Sequence, residues 1–391
     1  MSDYVQFEEF VIREGVHNAL LNDELDASIL EDLTSRNHNS TLLANFTGQT
    51  LAPNGSSFDE SVEPIPLTSL CVDGVFYVLK SSMQRTTRSK SLEPTCALLN
   101  ICHNMLAVNL SKHIDRSLDS GYPSGASITE TLGLDTIQSA KEDATAKLEF
   151  LAACNNAEKT VTNIEWFSRQ LKEQIQSNFT HISDEKQLER LNHSLAELGN
   201  CSKVFVQLQD QALQEMNTQC LKQHIKPQVA VFNTVSRVLT ETEHAEYQAN
   251  DPWVQQLIVS INELLTNFRH VLSENIYSKL VGMVTSLITT HLERLIKKSS
   301  FNQLGAFQLE NELRHIITYL NSSSTRTIRH QFARLLQISR LLNLERPSEL
   351  LDYWGVNAGS MTWRLTPGEI REVLSLRQDF ALDEIKRLQL S

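Results

Sequence analysis

Residues 251–272 read DPWVQQLIVSINELLTNFRHVL, and their apolar positions decide the fold class. Leu257, Ile258, Ile261, Leu264, Leu265, Phe268, Val271 and Leu272 recur at i, i+1, i+4, i+7 and i+8, the spacing that gathers side chains into one stripe along an α-helix. Such a stripe needs other helices to cover it. Asp251-Pro252 in front of it marks a boundary, because the residue before proline avoids the helical region and proline suits a first helical turn. The pattern returns in Leu280, Val284, Leu287, Ile288, His291 and Leu295, then in Leu309, Leu313, Ile316, Ile317 and Leu320. Ile328, Phe332, Leu335 and Leu336 begin a fourth helix. Short connections between such helices predict antiparallel bundle packing.

Upstream, residues 4–25 and 69–116 read as helical segments, and from about 130 to 248 apolar residues keep helical spacing, as in Leu148, Leu151 and Ala152, then Ile164, Phe167 and Leu171. Between the first two lies a stretch from 26 to 66, rich in Ser, Asn, Thr and Gly and holding Pro53, Pro64 and Pro66. It carries too few large apolar residues to offset the entropy of ordering it, so it is expected to be a disordered insertion. With only 13 Gly and 9 Pro in 391 residues and 41% hydrophobic residues, the composition favours helices. The expected fold is all-α: consecutive antiparallel helical bundles stacked into an elongated rod. The expected divisions are an N-terminal helical segment over 1–129, a first bundle over 130–250 and a C-terminal bundle over 251–391.

The net charge of -12 gives no positive field to attract phosphate backbones, so nucleic acid is excluded as a default partner. No basic and apolar leader opens the chain and no run approaches the length of a membrane span, which predicts a chain facing the cytosol. Six cysteines, Cys71, Cys96, Cys102, Cys154, Cys201 and Cys220, stand singly and are expected to be free, mostly buried thiols. The sequence holds no phosphate-binding glycine loop, no nucleophile elbow and no H-E-x-x-H helix, so no catalytic residue and no cofactor are expected. Cys102-His103 makes a poor metal pair, since adjacent residues diverge on a helix and no partner pair stands at zinc-site spacing; no metal is expected.

Four blocks are distinctive as words: DPWVQQ (251–256), SSFNQLGAFQLENELRHIITYL (299–320), LNLERPSELLDYWG (342–355) and MTWRLTPGEIREVLSLRQDFALDEIKRLQL (361–390). They closely resemble the C-terminal portion of the subunit 4 family of the conserved oligomeric Golgi complex, and the resemblance extends more weakly through DGVFYVLKSS (73–82) and the opening VQFEEFVIREGVHNAL. It implies a non-enzymatic member of the helical-rod tethering class, a scaffold for protein–protein contacts in intra-Golgi retrograde transport. The implied partners are the other subunits of the complex, with SNARE proteins or vesicle coat components beyond them. The implied location is peripheral, on the cytoplasmic face of the Golgi membrane, held there through the complex. The N-terminal portion of the family protein is not matched, so its assembly contacts transfer to no residue here.

The residues add three expectations of their own. Thr366-Pro367-Gly368-Glu369 reads as the start of the last long helix, with Thr366 as N-cap and Glu369 completing a capping box, and with Ile370, Val373, Leu374 and Leu376 docking it. Arg334 shares a stripe with Ile338 and Leu341 and should therefore have an anion; among Glu345, Glu349, Asp352 and Glu369, Glu369 is the choice, because a docked helix start holds a carboxylate in a fixed place. Arg326, Arg329 and Arg340 form a possible basic recognition face, which supports an alternative function as a peripheral membrane module binding anionic lipid; a solvated helix face is the blander explanation. Trp253, Trp354 and Trp363 are expected to close the core.

Overall fold

The computed structural model describes residues 2–26, 65–123, 135–179, 184–249, 252–354 and 362–390. Most of the expected insertion, residues 27–64, lies outside the described residues. Among the described residues the protein is all-α: two isolated bridges, Leu25 with Ser69 and Phe301 with Arg377, take the place of any strand. The chain divides into two compact units, Met1–Gln219 with Asn267–Ile276, and Cys220–Thr266 with Tyr277–Ser391. Residues 130–250 of the three-part reading thus contribute to both.

In the first unit, α1 (Ser2–Leu21) packs on α2 (Cys71–Arg88) and α3 (Leu92–Asn104), a π turn (Met105–Leu110) leads into α4 (Ser111–Asp119), and α5 (Asp135–Asn178) packs on α2 and α4. α6 (Glu185–Asn200) covers α3 and α7 (Ser202–Met216) lies along α5. α5 buries Leu151, Ala152, Ile164, Phe167 and Leu171, the side that the helical period assigns to the core. Phe76 meets Phe167 edge-on, with ring centroids 6.1 Å apart.

Two adjacent asparagines of α5 satisfy the backbone of the connections beside them. Asn155 Nδ2 donates to the carbonyls of Leu67 and Val271 at 2.7 and 2.8 Å, and its Oδ1 accepts from Ser273 N at 3.0 Å. Asn156 Oδ1 accepts from Ser69 N at 3.1 Å. Leu67 N also donates to Val271 O at 3.0 Å. Buried loop backbone must find partners somewhere, and here side-chain amides supply them.

In the second unit follow α8 (Lys222–Ala230), α9 (Glu241–Ala249), α10 (Pro252–Arg269) up to Thr266, α11 (Glu274–Ile296) from Tyr277, α12 (Gln303–Ser322), α13 (Ala333–Leu342), α14 (Pro367–Leu374) and α15 (Leu382–Arg387). Pro252 opens α10 at its first turn, and Leu257, Ile261, Leu264 and Leu265 are buried. α10 stops at Arg269, three residues short of the periodic stripe: the amides of Val271 and Leu272 both turn back to Phe268 O, yet both side chains stay buried. The fourth expected helix begins as a tight 3-10 turn over Arg329–Phe332 before α13.

The helix that Thr366 starts is neither long nor the last. α14 spans eight residues. After it the chain leaves helical pairing to bridge Phe301, which donates to Leu376 O at 2.8 Å and accepts from Gln378 N at 2.9 Å. Leu376, expected on the docking face, is spent on that bridge, while Ile370, Val373 and Leu374 are buried as expected. Arg377 anchors the exit: its buried guanidinium donates to the carbonyls of Leu342 and Leu344 at the end of α13 and pairs with Asp379 at 2.6 Å.

Candidate functional site

Arg334 leaves the first turn of α13 and is met by two carboxylates. Its Nε and Nη2 donate to the two oxygens of Glu293 on α11 at 3.1 and 2.8 Å, the fork geometry that makes arginine–carboxylate pairs strong. Nη2 also donates to Glu369 Oε1 at 2.6 Å, and Nη1 to the Arg364 carbonyl at 2.7 Å. Lys297 Nζ completes the cluster, 3.3 Å from Glu293 and 3.4 Å from Glu369. Thr366 Oγ1 accepts from Glu369 N while Glu369 Oε2 accepts from Thr366 N at 2.9 Å, so the capping box is formed. One carboxylate therefore caps α14 and ties it to Arg334.

The electrostatics follow from these contacts. The Thr366 amide, then the Arg334 guanidinium, hold the Glu369 carboxyl down at about 2. Arg334 likewise lowers Glu293, and the two carboxylates raise Arg334 further above the ordinary arginine value. Arg334 remains 35% exposed, so solvent screens part of the attraction.

A second charged pair is fully enclosed. Arg237 Nη1 donates to Glu312 Oε1 at 2.5 Å, with both side chains at most 2% exposed. The guanidinium lies 3.8 Å from the Phe232 ring centroid and 5.7 Å from that of Trp253. The Arg237 loop is held by α12: Asn302 Nδ2 donates to Leu239 O, Leu239 N donates to Asn302 Oδ1, and Asn302 N donates to Arg237 O. Asn302 and Glu312, both within SSFNQLGAFQLENELRHIITYL, thus share the task of holding the Arg237 loop.

Thr366, Glu369 and Arg334 are brought together by the fold. Arg326 precedes the 3-10 turn, Arg329 opens it, and Arg340 stacks over Tyr353 at 4.2 Å in the last turn of α13. Trp253 is 3% exposed and meets Phe232 edge-on at 5.6 Å; Trp354 and Trp363 lie 5.5 Å apart. All six cysteines are buried thiols. Glu293 and the Arg237–Glu312 pair were not foreseen. Glu312 stands beside Leu313 and three positions after Leu309, and a carboxylate so close to the apolar stripe is a signal for a buried partner.

The family described as "Conserved oligomeric Golgi complex subunit 4, C-terminal" matches residues 150–372, and "COG4 transport protein, middle alpha-helical bundle" matches residues 1–118. The chain belongs to the conserved oligomeric Golgi complex subunit 4 family. Subunit 4 from Homo sapiens is 37% identical over 347 residues, covering 85% of this chain and 44% of the relative. Subunit 4 from Arabidopsis thaliana is 32% identical over 332 residues, covering 85% and 43%. The chain therefore spans less than half the length of these curated subunit 4 relatives. The crystal structure of the C-terminal domain of the exocyst subunit Sec6p superposes with a TM-score of 0.54 at 11% identity, over 99% of this chain and 87% of that one, a likeness of fold alone. The subunit 4 relatives are named as parts of a protein complex, and nothing in them favours the lipid-binding alternative.

Proposed function

We propose that this chain is a non-enzymatic scaffold within the conserved oligomeric Golgi complex, contributing protein–protein surface to vesicle tethering in intra-Golgi retrograde transport. Family membership over both units carries the reading. The geometry agrees with it: Glu312, Glu369 and Arg377, all in the matched C-terminal blocks, tie their segments to other elements. Arg334, Glu293 and Glu369 act on this view as a structural lock that fixes how α13 and α14 present their outer faces. The partners are the other subunits of the complex, with SNARE proteins or vesicle coat components as further contacts. Attachment to the cytoplasmic face of the Golgi membrane is peripheral and runs through the complex; among the described residues no helix is long and apolar enough to cross a membrane.

The test is co-expression of this chain with each of the other subunits, followed by affinity purification. Stoichiometric recovery of at least one subunit is expected, with reduced recovery for Arg334→Met. Recovery of none would overturn the scaffold reading.

A further inference from the structure

Three side chains of the first unit converge from separate elements: Asp23 follows α1, Cys71 begins α2 and His113 lies in α4. One donor atom from each, a carboxylate oxygen, a sulfur and an imidazole nitrogen, lies within 4.8 Å of the other two. His113 Nε2 and Asp23 Oδ2 are 2.7 Å apart, and Asp23 Oδ1 accepts from Cys71 N at 3.1 Å. Cys71 Sγ stands 3.3 Å from Ser69 Oγ. His113 also lines a groove of about 430 Å³ together with His17, Leu21, Asn109 and Lys112.

The hydrogen bonds alone would make Asp23 a tie between α1, α2 and α4, which accounts for the carboxylate and the imidazole. The sulfur has a bond of its own, to Ser69 Oγ, but a hydroxyl would fill that role as well as a thiol. One sulfur, one imidazole nitrogen and one carboxylate oxygen are the ligand types that zinc accepts, and three protein ligands with an open fourth position are the usual set of an accessible site. We propose that Asp23, Cys71 and His113 bind a zinc ion whose fourth position opens toward the groove.

Zinc–ligand bonds of about 2.0–2.3 Å in tetrahedral geometry put ligand atoms roughly 3.5 Å apart, so a separation of up to 4.8 Å closes by about 1.3 Å at most, while the 2.7 Å contact of His113 with Asp23 opens. Asp23 Oδ1 keeps the Cys71 amide, and Oδ2 turns from the imidazole to the metal. Cys71 gives up its thiol proton to solvent as the zinc–sulfur bond forms; burial pushes that thiol up to about 12 without metal. His113 binds through the Nε2 lone pair with its proton on Nδ1, and nothing is oxidised or reduced. Thiolate and carboxylate together neutralise the dication, which a part-buried place beside Lys112 requires. The ion would pin Asp23 and Cys71, which stand on either side of residues 27–64. The proposal is independent of the tethering role.

The full chain, stripped by chelator, is titrated with Co²⁺ as the probe. One equivalent should give tetrahedral ligand-field bands and a near-ultraviolet thiolate-to-cobalt band, both bleached by Zn²⁺. Cys71→Ser should abolish the thiolate band, His113→Gln should weaken cobalt binding at least about tenfold, and Cys96→Ser should change neither. X-ray absorption on the zinc-loaded wild-type chain should show one sulfur in the metal shell, a reading that needs no variant to fold. Absence of the thiolate band in the wild type, its survival in Cys71→Ser, or a shell without sulfur would each overturn the site.

Discussion

Gly305 has no side chain because a Cβ there would lie 1.8 Å from the Arg237 carbonyl oxygen. The opposing atom is backbone held by Asn302, so it has little freedom to retreat. Gly305→Ala should cost about 1–3 kcal/mol as overpacking, despite the better helix propensity of alanine, and urea unfolding will measure it. The neighbouring Arg237–Glu312 pair sets a different expectation. Glu312→Leu alone strands a buried guanidinium and should cost about 3–5 kcal/mol, whereas Arg237→Met with Glu312→Leu should recover most of that loss; calorimetry of the two variants separates pairing from packing. For Glu369 the sign is set by its lowered value. Its carboxylate stabilises the fold fully above the ordinary value of 4.5, and the contribution fades as pH falls toward about 2. The thermal midpoints of wild type and Glu369→Gln should therefore differ near neutrality and converge over that window. Glu369 was readable in advance because its own helix start fixes it. Glu293 was not: it reaches Arg334 from α11, and no local spacing encodes which helix packs alongside.

α14 shows what a cap does for a short element. A helix of eight residues is far below the length at which helices hold themselves together. Thr366→Ala removes the acceptor for Glu369 N and loosens the hold on Arg334, so a loss of about 1 kcal/mol is expected in urea unfolding, with α14 amides exchanging faster. The cap residues were legible in T-P-G-E, but the length was not. The apolar pattern continues through Leu376, and only Phe301, far back in the chain, takes that residue's carbonyl out of helical pairing. α10 teaches the same lesson at its other end: Phe268, Val271 and Leu272 keep the helical period and are all buried, yet the backbone turns after Arg269. Periodicity reports which side chains are buried, and a turn can bury the next apolar residues as well as a helix can.

At the scale of the whole molecule, the helical class was legible because every long apolar stripe has the same period. The division into units follows packing, which proline and glycine breaks do not encode: residues 267–276 belong with the first unit although they continue the sequence pattern of α10. A fragment ending at residue 250 would lack Val271 and Ser273, the backbone partners of Asn155. Such a fragment should show a lower thermal midpoint than the first unit has within the full chain, and a version extended through residue 276 should recover part of the difference. The asparagine pair has one more consequence, which concerns time. The amides of Leu67, Ser69 and Ser273 lie in connections, where solvent hydrogen usually enters within moments, yet each is bonded to Asn155, Asn156 or a carbonyl that Asn155 also holds. Exchange there requires those bonds to break. Deuterium should thus enter these loop positions well behind ordinary turns, so part of the first unit's helical clock runs in its connections.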